Sequence, residues 1–157
     1  MASPFTTLAP RELLRRQAYI NGHWQSATDG RTFAVINPAN GETIAEVSDL
    51  SAHETEAAIR AAADALPAWR KQTAKQRSQT LQRWFQLIMQ NQAELAELLS
   101  LEQGKPQSEA MGEIAYGASF IEWFAEEGKR VYGETIPSPL PGRRISTIKQ
   151  PVGVVAA

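Results

Sequence analysis

The sequence predicts an α/β fold, and three features of the 157-residue chain support this class. Turn signals separate short alternating segments over residues 18–50, which predicts a small β element. Helical periodicity with capping signals follows over residues 51–133. The chain finishes on the apolar run 152–157, which is typical of a strand buried on both faces of a parallel sheet. Because such a strand needs neighbours, we expect these residues to be the front part of a larger protein whose central sheet begins here.

Composition and charge exclude several classes of function. The formal net charge is −1, and the arginines are scattered among acidic residues, so we expect no nucleic-acid partner. No apolar stretch approaches the ~20 residues of a membrane span, so we expect no membrane partner. The N-terminus lacks the charged and apolar regions of a signal peptide. These features together predict a cytoplasmic protein.

The residues that carry common chemistries are missing or isolated. The chain has no cysteine, which excludes disulfides, thiolate metal sites and a cysteine nucleophile within these residues. It has no glycine-rich dinucleotide motif, and Gly104-Lys105 lacks the flanking residues of a phosphate-binding loop. His23 and His53 stand alone in a hairpin and a first helical turn. We therefore predict no catalytic, cofactor-binding or metal-binding residue in this chain.

The first fifty residues should form turns and short strands. Residues 1–17 are expected to be a tail with a short helix from Pro10 to about Gln17. Asn21-Gly22 accepts the positive φ angles of a type I′ hairpin turn. Thr28-Asp29-Gly30 should form a second turn, and strands are expected at 33–36 and 43–47 on either side of the segment 37–41.

The helical block should contain four helices. Ser51 and Thr73 each begin a capping box, and Pro67 should kink or end the first helix near its last turn. Asn91 is expected to cap the third helix and Gly104 to end it in a left-handed conformation.

The fourth helix should open with Pro106 at its first position and run to about Val131. Small and aliphatic side chains recur on one face and should point to the core: Met111, Ile114, Ala118, Ile121 and Ala125. Four aromatic side chains broaden that face, so we expect the helix to be buried over more than half its girth: Tyr116, Phe120, Trp123 and Phe124. These aromatic residues either pack in a core or line an apolar tunnel.

A segment rich in proline and glycine, with Pro137, Pro139, Pro141 and Gly142, should form an irregular connection after the helices. Residues 143–149 then alternate weakly and carry several cations. This pattern predicts a semi-exposed strand that meets another subunit.

Six segments in this order resemble the N-terminal third of an aldehyde dehydrogenase: 37–41 (NPANG), 66–69 (LPAW), 101–106 (LEQGKP), 112–114 (GEI), 120–130 (FIEWFAEEGKR) and 149–154 (KQPVGV). The residues of these segments are most similar to those of bacterial succinate-semialdehyde dehydrogenases. The resemblance extends from about Gln17 to Ala157.

The resemblance implies how the chain is divided. Residues 51–133 would be the helical part of a cofactor domain, and 134–150 would form a strand of an oligomerisation arm. Residues 151–157 would be the first strand of a Rossmann-like sheet. The 143–149 strand would then join copies into a homo-oligomer.

The resemblance also implies a chemistry. In the family a cysteine thiolate attacks the aldehyde, hydride passes to NAD or NADP, and a glutamate activates the water that releases the acid. Those groups would lie after Ala157, so we expect these 157 residues to be non-catalytic by themselves. The implied wall of the substrate tunnel within this chain consists of Gly112, Tyr116 and Phe120.

The implied substrate is a small aldehyde, with succinate semialdehyde first and other aldehydes open. The choice between NAD and NADP is also open. Two alternatives to an enzyme fragment stand beside this interpretation: a helical protein-interaction module, and a truncated subunit that assembles without catalysis.

Overall fold

The computed structural model describes residues 13–156, and within them short strands flank a block of four α-helices. The strands are β1 (Ala18–Ile20), β2 (His23–Gln25), β3 (Thr32–Ile36), β4 (Thr43–Ser48), β5 (Glu134–Pro137) and β6 (Arg144–Thr147). The helices are α1 (Ala52–Lys71), α2 (Ala74–Gln90), α3 (Gln92–Gln103) and α4 (Gln107–Glu127), and a 3₁₀ turn at Gly128–Arg130 extends the last of them. This α/β content agrees with the predicted fold class.

The first two strands form the predicted hairpin. β1 and β2 are antiparallel, with Tyr19 opposite Trp24. Asn21 and Gly22 have φ angles of 50° and 81°, as a type I′ turn requires. The rings of Tyr19 and Trp24 have centroids 5.1 Å apart, and this cross-strand pair stabilises the hairpin.

β3 and β4 confirm the second predicted pair of strands. They run antiparallel, with Phe33 opposite Val47 and a register shift between Val35 and Ile36. The connecting turn is closed by a backbone hydrogen bond of 2.8 Å from Gly41 N to Asn37 O.

The first helix begins at the predicted capping box. Ser51 is the N-cap, and the carboxylate of Glu54 accepts hydrogen bonds from the amide and the hydroxyl of Ser51, each at 2.6 Å. Pro67 lies in the last turns of α1, which ends at Lys71. α1 has no buried residue, so its apolar stripe is largely uncovered within the described residues.

Of the remaining capping predictions, those for Thr73 and Gly104 agree with the structure, and those for Asn91 and Pro106 differ in detail. Thr73 Oγ1 accepts from the amide of Gln76 at 3.2 Å. Asn91 is the only residue between α2 and α3, although its side chain donates to Leu87 O rather than capping α3. Gly104 ends α3 with φ of 83°. Pro106 is the N-cap of α4, one position before the predicted one.

Small side chains form the centre of the helical block. Ala96, Ala110, Ala118 and Ala125 are at most 1% exposed, and no large side chain is as deeply buried within the described residues. Alanines at these positions allow the helix backbones to approach closely, so α4 packs along both α2 and α3.

Two sequence predictions about secondary structure are wrong at the chain's ends. Part of the short helix from Pro10 to Gln17 lies outside the described residues, and residues 13–17 form a turn and irregular backbone. Residues 151–156 have no regular secondary structure, where a strand over 151–157 was expected. A buried parallel strand is stabilised by ladder hydrogen bonds, and no strand lies beside this segment in the described residues.

Two further predictions are corrected in the second half of the chain. The segment expected to be an irregular connection is irregular over residues 138–143, but Pro137 belongs to β5, which pairs antiparallel with β6 in a hairpin with Ile136 opposite Ile145. Pro137 is tolerated because it lies at the end of an edge strand. The aromatic face of α4 is exposed rather than buried, since no other described element covers it.

Candidate functional site

The three residues predicted to line a tunnel lie on one exposed face of α4. Gly112, Tyr116 and Phe120 follow each other at intervals of four residues, which places them on adjacent turns of the helix. The rings of Tyr116 and Phe120 meet edge to face, with centroids 4.9 Å apart and planes at 79°. Tyr116 is 66% exposed and Phe120 48%. The structure therefore brings these residues together as an open aromatic surface.

The aromatic surface continues into a groove at the C-terminal end of α4. Phe120, Trp123 and Phe124 form its apolar part, while Glu122, Glu126, Glu127 and Arg130 form its charged part. An apolar floor with a charged rim can hold a small amphipathic molecule or a neighbouring protein segment.

The charged rim is organised by ion pairs. Lys129 Nζ lies 2.7 Å from Glu126 Oε2, and Gln82 Nε2 of α2 donates to Glu126 Oε1 at 2.8 Å. The hydrogen bond from Lys129, followed by its charge and the bond from Gln82, holds the pKa of Glu126 below its usual value. Glu126 is therefore a charged residue of α4 that binds α2 through the hydrogen bond from Gln82.

A second candidate region is formed where two of the recognised segments meet. The turn at 37–41 lies beside the turn that joins α3 to α4, and both line a cleft between them. Asn37 is buried, and its Oδ1 accepts from the amide of Ala39 at 2.9 Å. A Cβ atom on Gly104 would lie 3.0 Å from Cγ of Pro38.

A salt bridge closes the other side of this turn. Lys105 Nζ lies 2.5 Å from Glu113 Oε2, and the lysine side chain is 18% exposed. The residues of the 101–106 segment thus have structural partners on both sides. These contacts give Gly104 and Lys105 a structural role in the turn that joins α3 to α4.

No group of three or more potential metal ligands occurs among residues 13–156. The described residues also contain no parallel strand followed by a glycine-rich turn and a helix, the arrangement that holds a dinucleotide.

Further long-range polar contacts were not predicted from the sequence. The amide and the hydroxyl of Thr28 donate to Glu54 at 2.6 and 2.5 Å, so the carboxylate of the α1 capping box also binds the preceding turn. Gln92 Nε2 donates to the carbonyl oxygen of Met111 at 2.9 Å. Neither contact has a sequence signal, because the partners are 26 and 19 residues apart.

Comparison with known proteins identifies the family. The model of the aldehyde dehydrogenase family matches residues 24–157, so the chain belongs to this family of oxidoreductases. It is 58% identical over 150 residues to the glutarate-semialdehyde dehydrogenase of Pseudomonas putida, covering 96% of this chain and 31% of that protein. It is 57% identical over 145 residues to the NADP-dependent succinate-semialdehyde dehydrogenase of Escherichia coli, covering 92% and 30%.

The fold agrees with this assignment. The crystal structure of succinate-semialdehyde dehydrogenase from Burkholderia pseudomallei superimposes with a TM-score of 0.89 and 53% identity, covering 94% of this chain and 30% of that one. The described residues have the N-terminal part of the aldehyde dehydrogenase fold. The chain spans about 30% of the length of the curated relatives that it matches. Within residues 13–156, no helix has the length and apolar character needed to cross a membrane.

Proposed function

We propose that these residues are the N-terminal part of an NAD(P)-dependent aldehyde dehydrogenase that oxidises a small aldehyde with a carboxylate at its other end. Succinate semialdehyde, oxidised to succinate, is the first candidate substrate. The observation that supports this most is the identity of 57–58% to enzymes named for succinate and glutarate semialdehydes. These two substrates differ by one methylene group. The identities therefore support the class of substrate, a semialdehyde with a terminal carboxylate, more strongly than they support the number of methylene groups in it.

The proposed contribution of this chain is part of the wall that borders the aldehyde's path. Gly112, Tyr116 and Phe120 offer an apolar face suited to the methylene groups of such a substrate. The exposure of both rings supports the proposal, since large aromatic side chains in contact with water favour an occupant that covers them.

The covalent chemistry requires a group that these residues lack. A cysteine thiolate would attack the aldehyde carbon, and the chain has no cysteine. Hydride would pass to NAD or NADP, whose contacts are also proposed to lie in residues after Ala157. We therefore expect the 157 residues alone to show no dehydrogenase activity.

The β5–β6 hairpin is proposed to be part of an arm that joins copies into a homo-oligomer, in a cytoplasmic protein. Both strands are exposed along their whole length, including Ile136 and Ile145 at 39% each. Ile148 follows β6 and is 78% exposed. A hairpin that exposes two isoleucines and has two open edges is a surface that a second copy can cover.

The proposal is tested on the intact protein purified from its natural source, by the rise of nicotinamide absorbance with succinate semialdehyde, glutarate semialdehyde or butanal. We expect turnover with the two semialdehydes and a much lower kcat/KM with butanal, which lacks the carboxylate. Parallel assays with NAD and NADP identify the cofactor.

A paired variant tests the role of the aromatic face. Tyr116→Ala should lower kcat/KM for the semialdehydes, whereas Trp24→Ala, an exposed aromatic residue of the N-terminal hairpin, should leave it unchanged. Absence of turnover with any aldehyde would contradict the enzymatic proposal and favour the interaction module or the non-catalytic subunit.

A further inference from the structure

Helix α4 contains two glycines in its interior. Neither Gly112 nor Gly117 has a positive φ angle, and a Cβ atom at either position would meet nothing within 4 Å. A glycine within a helix is about 1 kcal/mol less favourable than alanine, because it loses more backbone freedom on folding. The segment that carries Gly112 and Tyr116 is therefore weakened, and no contact among the described residues requires the glycines.

Two side chains from the α3 region bind the residues on either side of Gly112. Gln92 Nε2 donates to the carbonyl oxygen of Met111 at 2.9 Å, in a partly buried position. Lys105 Nζ lies 2.5 Å from the carboxylate of Glu113. Gln92 is the first residue of α3, and Lys105 follows its last residue by two positions. Both ends of α3 thus contact the same turn of α4.

The two contacts differ in expected strength. Glu113 is 49% exposed, so solvent screens its ion pair with Lys105. The bond from Gln92 is partly buried and directed at a main-chain atom, so it fixes the position of the helix backbone itself. The Met111 carbonyl also faces the amide of Ala115 within the helix. Loss of Gln92 would therefore leave no buried carbonyl without a partner.

We propose that Gln92, supported by Lys105, is a positioning residue that holds the Gly112–Tyr116 turn of α4 against α3. By holding this turn it sets the position of the aromatic wall along the aldehyde's path. The positioning of the turn stands on the structure alone, whereas its effect on substrate rests on the proposed function.

Hydrogen exchange on the intact protein tests the positioning directly. Gln92→Ala should speed exchange of the amides at 112–117 by about fivefold, the effect expected from losing one hydrogen bond. Amides of α2 should be unchanged. Gln86→Ala, an exposed glutamine on α2, is the matched control and should alter neither region. Gln92→Lys keeps an N–H donor and should restore slow exchange. Unchanged exchange at 112–117 in Gln92→Ala would overturn the proposal.

Steady-state kinetics test the consequence for substrate. A displaced wall should raise KM for succinate semialdehyde about fivefold and leave kcat unchanged. A merely structural role would reduce the amount of active enzyme, and so the apparent kcat, with KM unchanged. The latter pattern would overturn the role in positioning substrate. If the unmodified protein oxidises no aldehyde, the proposed function fails, and the exchange experiment still decides the role of Gln92.

Discussion

The ring of Pro38 lies directly against Gly104, where a Cβ atom would stand 3.0 Å from the proline Cγ. This contact joins the turn between β3 and β4 to the turn between α3 and α4, two segments that are 66 positions apart in sequence. Gly104 also has φ of 83°, so both its backbone conformation and its neighbour favour glycine.

We predict that Gly104→Ala destabilises the protein more than Gly30→Ala. Gly30 has φ of 73°, but nothing lies within 4 Å of a Cβ atom built there. Gly30→Ala therefore measures the free-energy cost of the left-handed conformation alone. That conformation costs an alanine about 1–2 kcal/mol. At Gly104 the displacement of Pro38 adds to this cost. Urea unfolding of both variants measures the difference, and equal losses would show that the contact with Pro38 contributes nothing.

We predict that Glu54 makes the free energy of unfolding depend on pH in the acidic range. Hydrogen bonds from the hydroxyls of Ser51 and Thr28, and then from their amides, lower the pKa of Glu54 from 4.5 to about 2. Because the folded state holds the proton less tightly, the stabilisation is complete above pH 4.5 and is lost as the pH falls towards 2. Glu54→Gln should flatten this part of the curve of Tm against pH.

The control for this experiment is Glu46→Gln, which removes a carboxylate from the exposed side of β4. It should keep the same acid dependence as the unmodified protein. An identical slope in Glu54→Gln and the unmodified protein between pH 4.5 and 2 would contradict the assignment to Glu54.

We predict opposite effects of Gly112→Ala on stability and activity. The added methyl group meets no atom of the described residues, and alanine favours the helix, so stability should rise by about 1 kcal/mol. If this face borders the substrate's path, kcat/KM for the semialdehydes should fall. Thermal unfolding and steady-state kinetics of the intact protein measure the two effects.

Gly117→Ala is the matched control, because Gly117 lies on another side of the same helix and is equally uncrowded. It should raise stability by a similar amount and leave kcat/KM unchanged. Equal effects of the two substitutions on kcat/KM would show that Gly112 does not line the substrate's path.

We predict that Gly133→Ala opens the β5–β6 hairpin. A Cβ atom on Gly133 would collide with the carbonyl oxygen of Thr147, so the backbones must separate. The amide of the next residue, Glu134, also donates to Thr147 Oγ1 at 3.1 Å, and this bond should be lost with the pairing. If the hairpin joins subunits, size-exclusion chromatography with light scattering should show a smaller assembly. An unchanged mass of the assembly would show that the hairpin does not contribute to oligomerisation.

Local chemistry made much of the fold predictable. Asn21-Gly22 and the Ser51 and Thr73 capping boxes were identified because each depends on residues within four positions. The inward face of α4 followed from helical periodicity, and Ala118 and Ala125 on it are buried.

Features that depend on distant partners were not predictable. The pairing of β5 with β6 was hidden by Pro137, since proline usually argues against a strand. The run at 152–157 has the composition of a strand, but pairing is a property of neighbouring strands. Gln92 could not be identified, because a glutamine at a helix start has no sequence signal for a carbonyl on another helix. The tunnel-wall residues came from family resemblance, and the structure supplies only their shared exposed face.

The intact mass of the protein isolated from its natural source tests the central claim most directly. An account in which these residues form one part of a thiol-dependent dehydrogenase predicts a mass well above 17.3 kDa, with a cysteine in the additional sequence. A mass of 17.3 kDa would contradict it, because a chain without cysteine cannot form the thiohemiacetal.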